Sequence, residues 1–158
     1  MALNSASIEK TGGWYGFLNG ICLILFGVLL QVTGLADVPV LRFGFILISV
    51  IFICMSIYSL KRGRQGRLNY LQGIGVGAIT SIIGSLMFAV FTVINIMYLG
   101  SDIMEVIRNE NIMGEHVTVS SVFMIITMIG FVGGALTAYI AMQYFKRPDH
   151  KLTNNTDQ

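Results

Sequence analysis

Polarity in this chain changes on the scale of whole helices rather than of single residues. Four long stretches carry no charge, and short polar segments divide them. Thr11 to Ala36 is uncharged, and within it residues 14–35 supply the roughly 20 apolar positions needed to cross a hydrocarbon core of about 30 Å. Ala36-Asp37-Val38-Pro39 interrupts the run, because proline removes a donor and restricts the residue before it. A second span is expected over 41–60, with Arg42 near its start, where a long side chain reaches water. The third covers 69–100 and exceeds a simple crossing, which predicts tilt or a projecting end. The fourth covers 117–145 and stops at Lys146-Arg147-Pro148. The expected organisation is a polar tail over 1–10, a membrane domain over 11–146 and a polar tail over 147–158.

Small residues recur every four positions inside these runs. Gly12, Gly16 and Gly20 form one stripe in the first helix. Gly73, Gly77, Ser81, Ser85 and Ala89 form the longest, in the third. The fourth carries Gly130, Gly134 and Ala138, with Gly133, Thr137 and Ala141 on the adjoining stripe. Such stripes let helix backbones approach closely, so these residues are the candidate helix-packing positions. The other side of the third helix, with Ile79, Ile83, Phe88 and Phe91, is expected to face lipid.

Composition fits this reading: 54% of the 158 residues are hydrophobic and 11% charged, with a mean hydropathy of +0.75. Soluble domains carry roughly 25% charged residues. The fold expected is therefore all-α, a polytopic antiparallel bundle of four transmembrane helices.

Where the charges lie sets the expected orientation. Lys61, Arg62, Arg64 and Arg67 cluster between the second and third runs. With that turn inside, Lys10, Lys146, Arg147 and Lys151 join it, leaving only Arg42 and Arg108 outside. Positive residues in short loops favour the cytoplasm, so both termini are expected inside, in the inner (plasma) membrane of a bacterium. Trp14, Tyr15, Tyr58, Tyr70 and Tyr144 fall near the same boundary. The first helix is read as a retained signal anchor, since no basic n-region precedes it. The four cations of the turn are also candidate contacts for anionic lipid headgroups.

Resemblance adds a family. Tyr58-Ser59, the basic turn with Gly66, the Gly-rich start of the third helix, the acidic segment after Tyr98, Met113-Gly114-Glu115, and the ending Met142-Gln143-Tyr144-Phe145-Lys146 are similar to a bacterial family, domain of unknown function 4199. Its members are small four-helix integral membrane proteins, and the likeness covers most of the chain. The family has no established activity, so the resemblance implies no functional residues.

The residues themselves point to little chemistry. Apart from Arg42 at the start of the second, the spans carry no charged side chain, which weighs against an ion-coupled pump. Their deepest polar groups are Asn19, Gln31, Thr80, Asn95 and Gln143, read as bonding across helices or to nearby carbonyls. A polar cavity would require Asn19 to face Gln143 and Gln31 to face Asn95. Cys22 and Cys54 lie at similar depth without metal or redox spacing. His116 stands beside Glu115 in a segment with Asp102, Glu105 and Glu110, read as a solvated acidic loop beyond the outer end of the third helix. Gly73-Ile74-Gly75-Val76-Gly77 lies within a helix and is not a phosphate loop. No catalytic, cofactor or metal residues are assigned, and nucleic acid is not an expected partner. The expectation is a non-enzymatic membrane component acting by packing, assembly or partner binding, with lipids and a homo-oligomer or membrane protein as partners. The alternative is a subunit of an oligomeric transporter or channel.

Overall fold

The computed structural model describes residues 7–34, 39–63, 69–99 and 118–145. They form four helices, α1 (Ile8–Val32), α2 (Pro39–Gly63), α3 (Tyr70–Leu99) and α4 (Val119–Phe145). Each is long and apolar enough to cross a membrane. The 30 residues of α3 rise about 45 Å, longer than a hydrocarbon core of about 30 Å.

Local chemistry explains where the boundaries differ from the sequence expectation. α1 begins at Ile8, so residues 8–10 belong to the helix rather than to a tail. Ser7 is extended and its carbonyl accepts the Thr11 N–H at 3.0 Å, while Glu9 complements the positive end of the helix dipole. At the other end Thr33 N and Gly34 N donate to the Leu29 and Gln31 carbonyls at 3.0 and 3.2 Å, and Gly34 takes φ +68°. The Thr33 hydroxyl donates to Leu29 O at 2.8 Å. This is a left-handed glycine cap, and it stops α1 at Val32 rather than at 35.

Pro39, expected to lie in a break, opens α2 instead; a first helical position tolerates a missing N–H. α2 continues past 60 to Gly63, so Lys61 and Arg62 sit in its last turn, where cations meet the negative end of the dipole. The Asn69 carbonyl accepts from Gln72 N and Gly73 N at 3.0 and 3.2 Å, starting α3. α4 begins at Val119. Arg64, Arg67, the acidic segment with His116, and the 147–158 tail lie outside the described residues.

α3 organises the bundle. Its most extensive interfaces are with α1 and α4, and it also reaches α2. α2 touches α1 and, least extensively, α4, whereas α1 and α4 do not meet among the described residues. On one side of α3 the glycines of α1 form a groove. A Cβ at Gly12 would lie 2.9 Å from Ile79 Cγ2, at Gly16 2.8 Å from Ile83 Cβ, and at Gly20 2.8 Å from Met87 Cβ. Each four-residue step along α1 matches the same step along α3, so the two run parallel. This overturns the expectation that Ile79, Ile83, Phe88 and Phe91 face lipid: the first two fill the α1 groove, and the phenyl rings pack beside Gly27. The lipid-type face of α3 instead carries Leu71, Leu86, Val90, Ile94 and Met97.

On the other side, the α3 and α4 stripes meet in antiparallel register. Gly73 faces Met142, Gly77 faces Ala138, Ser81 faces Gly134 and Ser85 faces Gly130. Ala89, the last stripe residue, is fully buried. Ile53 of α2 lies over this seam, its Cγ2 3.2 Å from the Cβ position of Gly77. Around it Ile57, Leu60, Val76, Ala138, Ala141 and Met142 form the main core, at the bundle end that carries Lys10, Lys61 and Arg62. The outward faces are apolar almost throughout; Leu25, Phe43, Leu47, Met124, Met128 and Ile140 are all exposed. A water-soluble monomer rarely presents such a surface.

The seam predicts graded glycine tolerance. Gly77→Ala puts a methyl 2.5 Å from the Ala138 Cβ, which no rotamer change can move. It should destabilise the fold by about 1–3 kcal/mol. Gly73→Ala should cost less, because the thioether of Met142 can swing aside. Gly13→Ala and Gly133→Ala meet nothing within 4 Å and should be neutral or stabilising. Thermal unfolding of the four variants in one detergent gives the order directly; equal midpoints for Gly77→Ala and Gly133→Ala would exclude the seam.

Candidate functional site

The tight seam closes one half of the bundle only. In the other half, all four helices line a cavity of about 700 Å³. Its floor is Ile53, Ser81 and Gly134, resting on the main core. Near its far end Ile96 and Val122, flanked by Val119 and Ile126, join α3 to α4. The cavity therefore does not continue through the basic half. Exposed Ile46 of α2 and Ile129 of α4 stand on its wall, so it reaches the outward surface of the bundle as a cleft between those two helices.

One wall is aromatic. Phe26 and Phe45 meet edge to face with centroids 5.0 Å apart, Phe45 and Phe88 are also 5.0 Å apart, and Phe88 to Phe91 is 6.5 Å. Gly44 makes room for this row: a Cβ there would lie 2.5 Å from Phe26 Cζ. These rings tie α2 to α1 and α3 by offset and edge contacts. Little but Ile53 and its neighbours then ties α2 to α4, and the gap between them is the cleft.

The polar groups on the lining are Gln31, Ser49, Ser81, Ser85, Thr92, Asn95 and Thr137. Four hydroxyls are already committed as donors to their own helices. Ser81 donates to Ala78 O at 2.9 Å, Ser85 to Ile82 O at 3.1 Å, Thr92 to Phe88 O at 2.9 Å and Thr137 to Gly133 O at 2.7 Å. Their oxygens are left with acceptor capacity. Asn95 is 7% exposed and its Oδ1 has no hydrogen-bond partner. A buried acceptor left unpaired costs about 1–3 kcal/mol. Among the described residues no charged side chain lines the cavity, and no group of three or more His, Cys, Asp or Glu is placed to hold a metal ion.

Of the two amide pairings a polar cavity would need, the structure brings one into a shared space. Gln31 and Asn95 both line the cleft. Asn19 and Gln143 are separated. Asn19 is buried against Gly84, with its own Oδ1 unpartnered. Gln143 is exposed near the basic end of α4. Thr80 bridges helices, its hydroxyl 2.8 Å from Val76 O and 3.3 Å from Gly12 O. Cys22 and Cys54 are free and half-buried. The α3 and α4 packing residues lie in the seam between those helices, and Ser81, Ser85, Gly130 and Gly134 also reach the cavity. Ser49 and Thr92 are lining residues that sequence reasoning missed, and Thr137, read as a packing position, also lines the cavity. A usable signal existed for Thr92 alone, since with Asn95 it prolongs the face of α3 that carries Ser81 and Ser85.

No family model matches this chain, and no curated protein or solved structure shows significant similarity to it.

Because Asn95 Oδ1 makes no hydrogen bond, its amide is not needed for the fold. Asn95→Leu should shift stability by no more than about 1 kcal/mol, since no intramolecular bond is lost. Phe88→Ala, which removes a ring from the wall, should cost about 3–5 kcal/mol. Thermal unfolding in detergent separates them; a large loss in Asn95→Leu would mean that the amide is structural.

Proposed function

We propose that the protein is a non-enzymatic, multi-pass component of the bacterial inner membrane that works by binding a partner within the bilayer, through the α2–α4 cleft. The observation that carries this reading is the contrast between the two halves of the bundle. One half is sealed by small residues and a continuous apolar core, while the other holds a cavity of about 700 Å³ bounded by all four helices. Ligand pockets commonly fall between about 300 and 1,000 Å³, lined by apolar groups with a few placed polar ones. Because the α3 and α4 stripes are occupied by each other, they support the fold of one chain. The cleft, rather than those stripes, is the surface on offer to a partner.

Orientation follows from charge. Lys61 and Arg62 close α2 at the same end as Lys10 in α1, and both termini on the cytoplasmic side is the arrangement this asymmetry favours. Lys61 and Arg62 are placed to meet anionic headgroups there. The similarity to the domain of unknown function 4199 family fits a four-helix membrane protein and stands as a proposed kinship only. A second reading, a subunit of an oligomeric transporter or channel, draws on the polar side chains that all four helices present to the cavity. The closed basic half weighs against a path through one copy.

Photo-crosslinkers placed at Ile129 and Ile46 should capture one discrete partner in living cells, whereas one at Leu71, on the lipid-type face of α3, should capture only bulk lipid. Equal capture from all three positions would remove the cleft from consideration. Solute flux in liposomes containing only this protein would favour the transport reading. For orientation, single cysteines at Gln65 and Asn111 in a background lacking Cys22 and Cys54 should differ: only Asn111→Cys should label with an impermeant thiol reagent in intact cells. Labelling of Gln65→Cys under those conditions would reverse the assignment.

A further inference from the structure

We draw no further inference here: the strongest candidate, the apolar cleft between α2 and α4 beside Ile46 and Ile129, belongs to the site already described, and nothing in the structure shows what fills it.

Discussion

Everything in this bundle depends on how closely α3 can be approached from two sides. On the α1 side, three glycines give their space to Ile79, Ile83 and Met87. On the α4 side, Gly77, Ser81 and Ser85 oppose Ala138, Gly134 and Gly130, so that no large side chain separates the backbones. In a lipid environment there is no hydrophobic gain from bringing apolar helices together, and dispersion at short range has to supply the attraction. The two sides solve this differently. α1 offers a groove to branched knobs, whereas α4 meets α3 as small on small. α3 thus becomes a rigid spine, with α2 resting across the seam through Ile53.

Such close approach has a geometric consequence. Where Gly73 and Gly77 meet Met142 and Ala138 no space remains for an occupant, and the basic half is filled by Ile53, Ile57, Leu60 and Met142, whereas the Ser81–Gly134 and Ser85–Gly130 pairs border the cavity. Toward the other end the contacts of α2 pass to Phe26, Phe45 and Phe88, whose rings lie on the α1 side. α2 is thereby held to α1 and α3 and not to α4. The cavity is the difference between these two modes of contact, and its floor falls where one gives way to the other. The hydroxyls along it satisfy themselves on their own helices, which is the usual resource of Ser and Thr in an apolar setting. Asn95 differs: its Oδ1 carries no proton to give to a carbonyl and is enclosed without a donor.

The four helices were legible because length and the absence of charge are enough to define a span, whatever the neighbours. The small-residue stripes were legible as packing faces, since spacing alone identifies them. Which face pairs with which was not. Ile79 and Ile83 look like lipid-facing residues until the α1 glycines are known to receive them; a knob and a lipid-facing isoleucine have the same spacing. Boundary errors had local causes. Pro39 reads as a breaker but is also an acceptable first helical residue, and Thr33-Gly34 was an available cap signal that the longer apolar run concealed. The cleft could not be read, because it is set by the distance between α2 and α4, which no periodicity in either sequence encodes. Asn95 and Gln31 were visible as deep polar residues, but their sharing of one cavity is a product of the tertiary arrangement.

The two orphan amides show how the same residue type can be left unpaired for different reasons. Asn19 is wedged against Gly84, where its bulk is part of the α1–α3 contact and its oxygen is enclosed by neighbours. Its unpaired acceptor follows from a close fit. Asn95 lies where the same bundle has stopped fitting closely, on a wall with room beside it. A leucine of similar size would serve that wall as well for stability, so stability offers no reason for an amide there. Hydroxyls are bonded within the bundle in both settings, as Thr80 is to Val76 and Gly12 at the α1–α3 contact. On the cavity wall Ser81, Ser85, Thr92 and Thr137 bond to their own helices, whereas Gln31, Ser49 and Asn95 keep both donor and acceptor capacity.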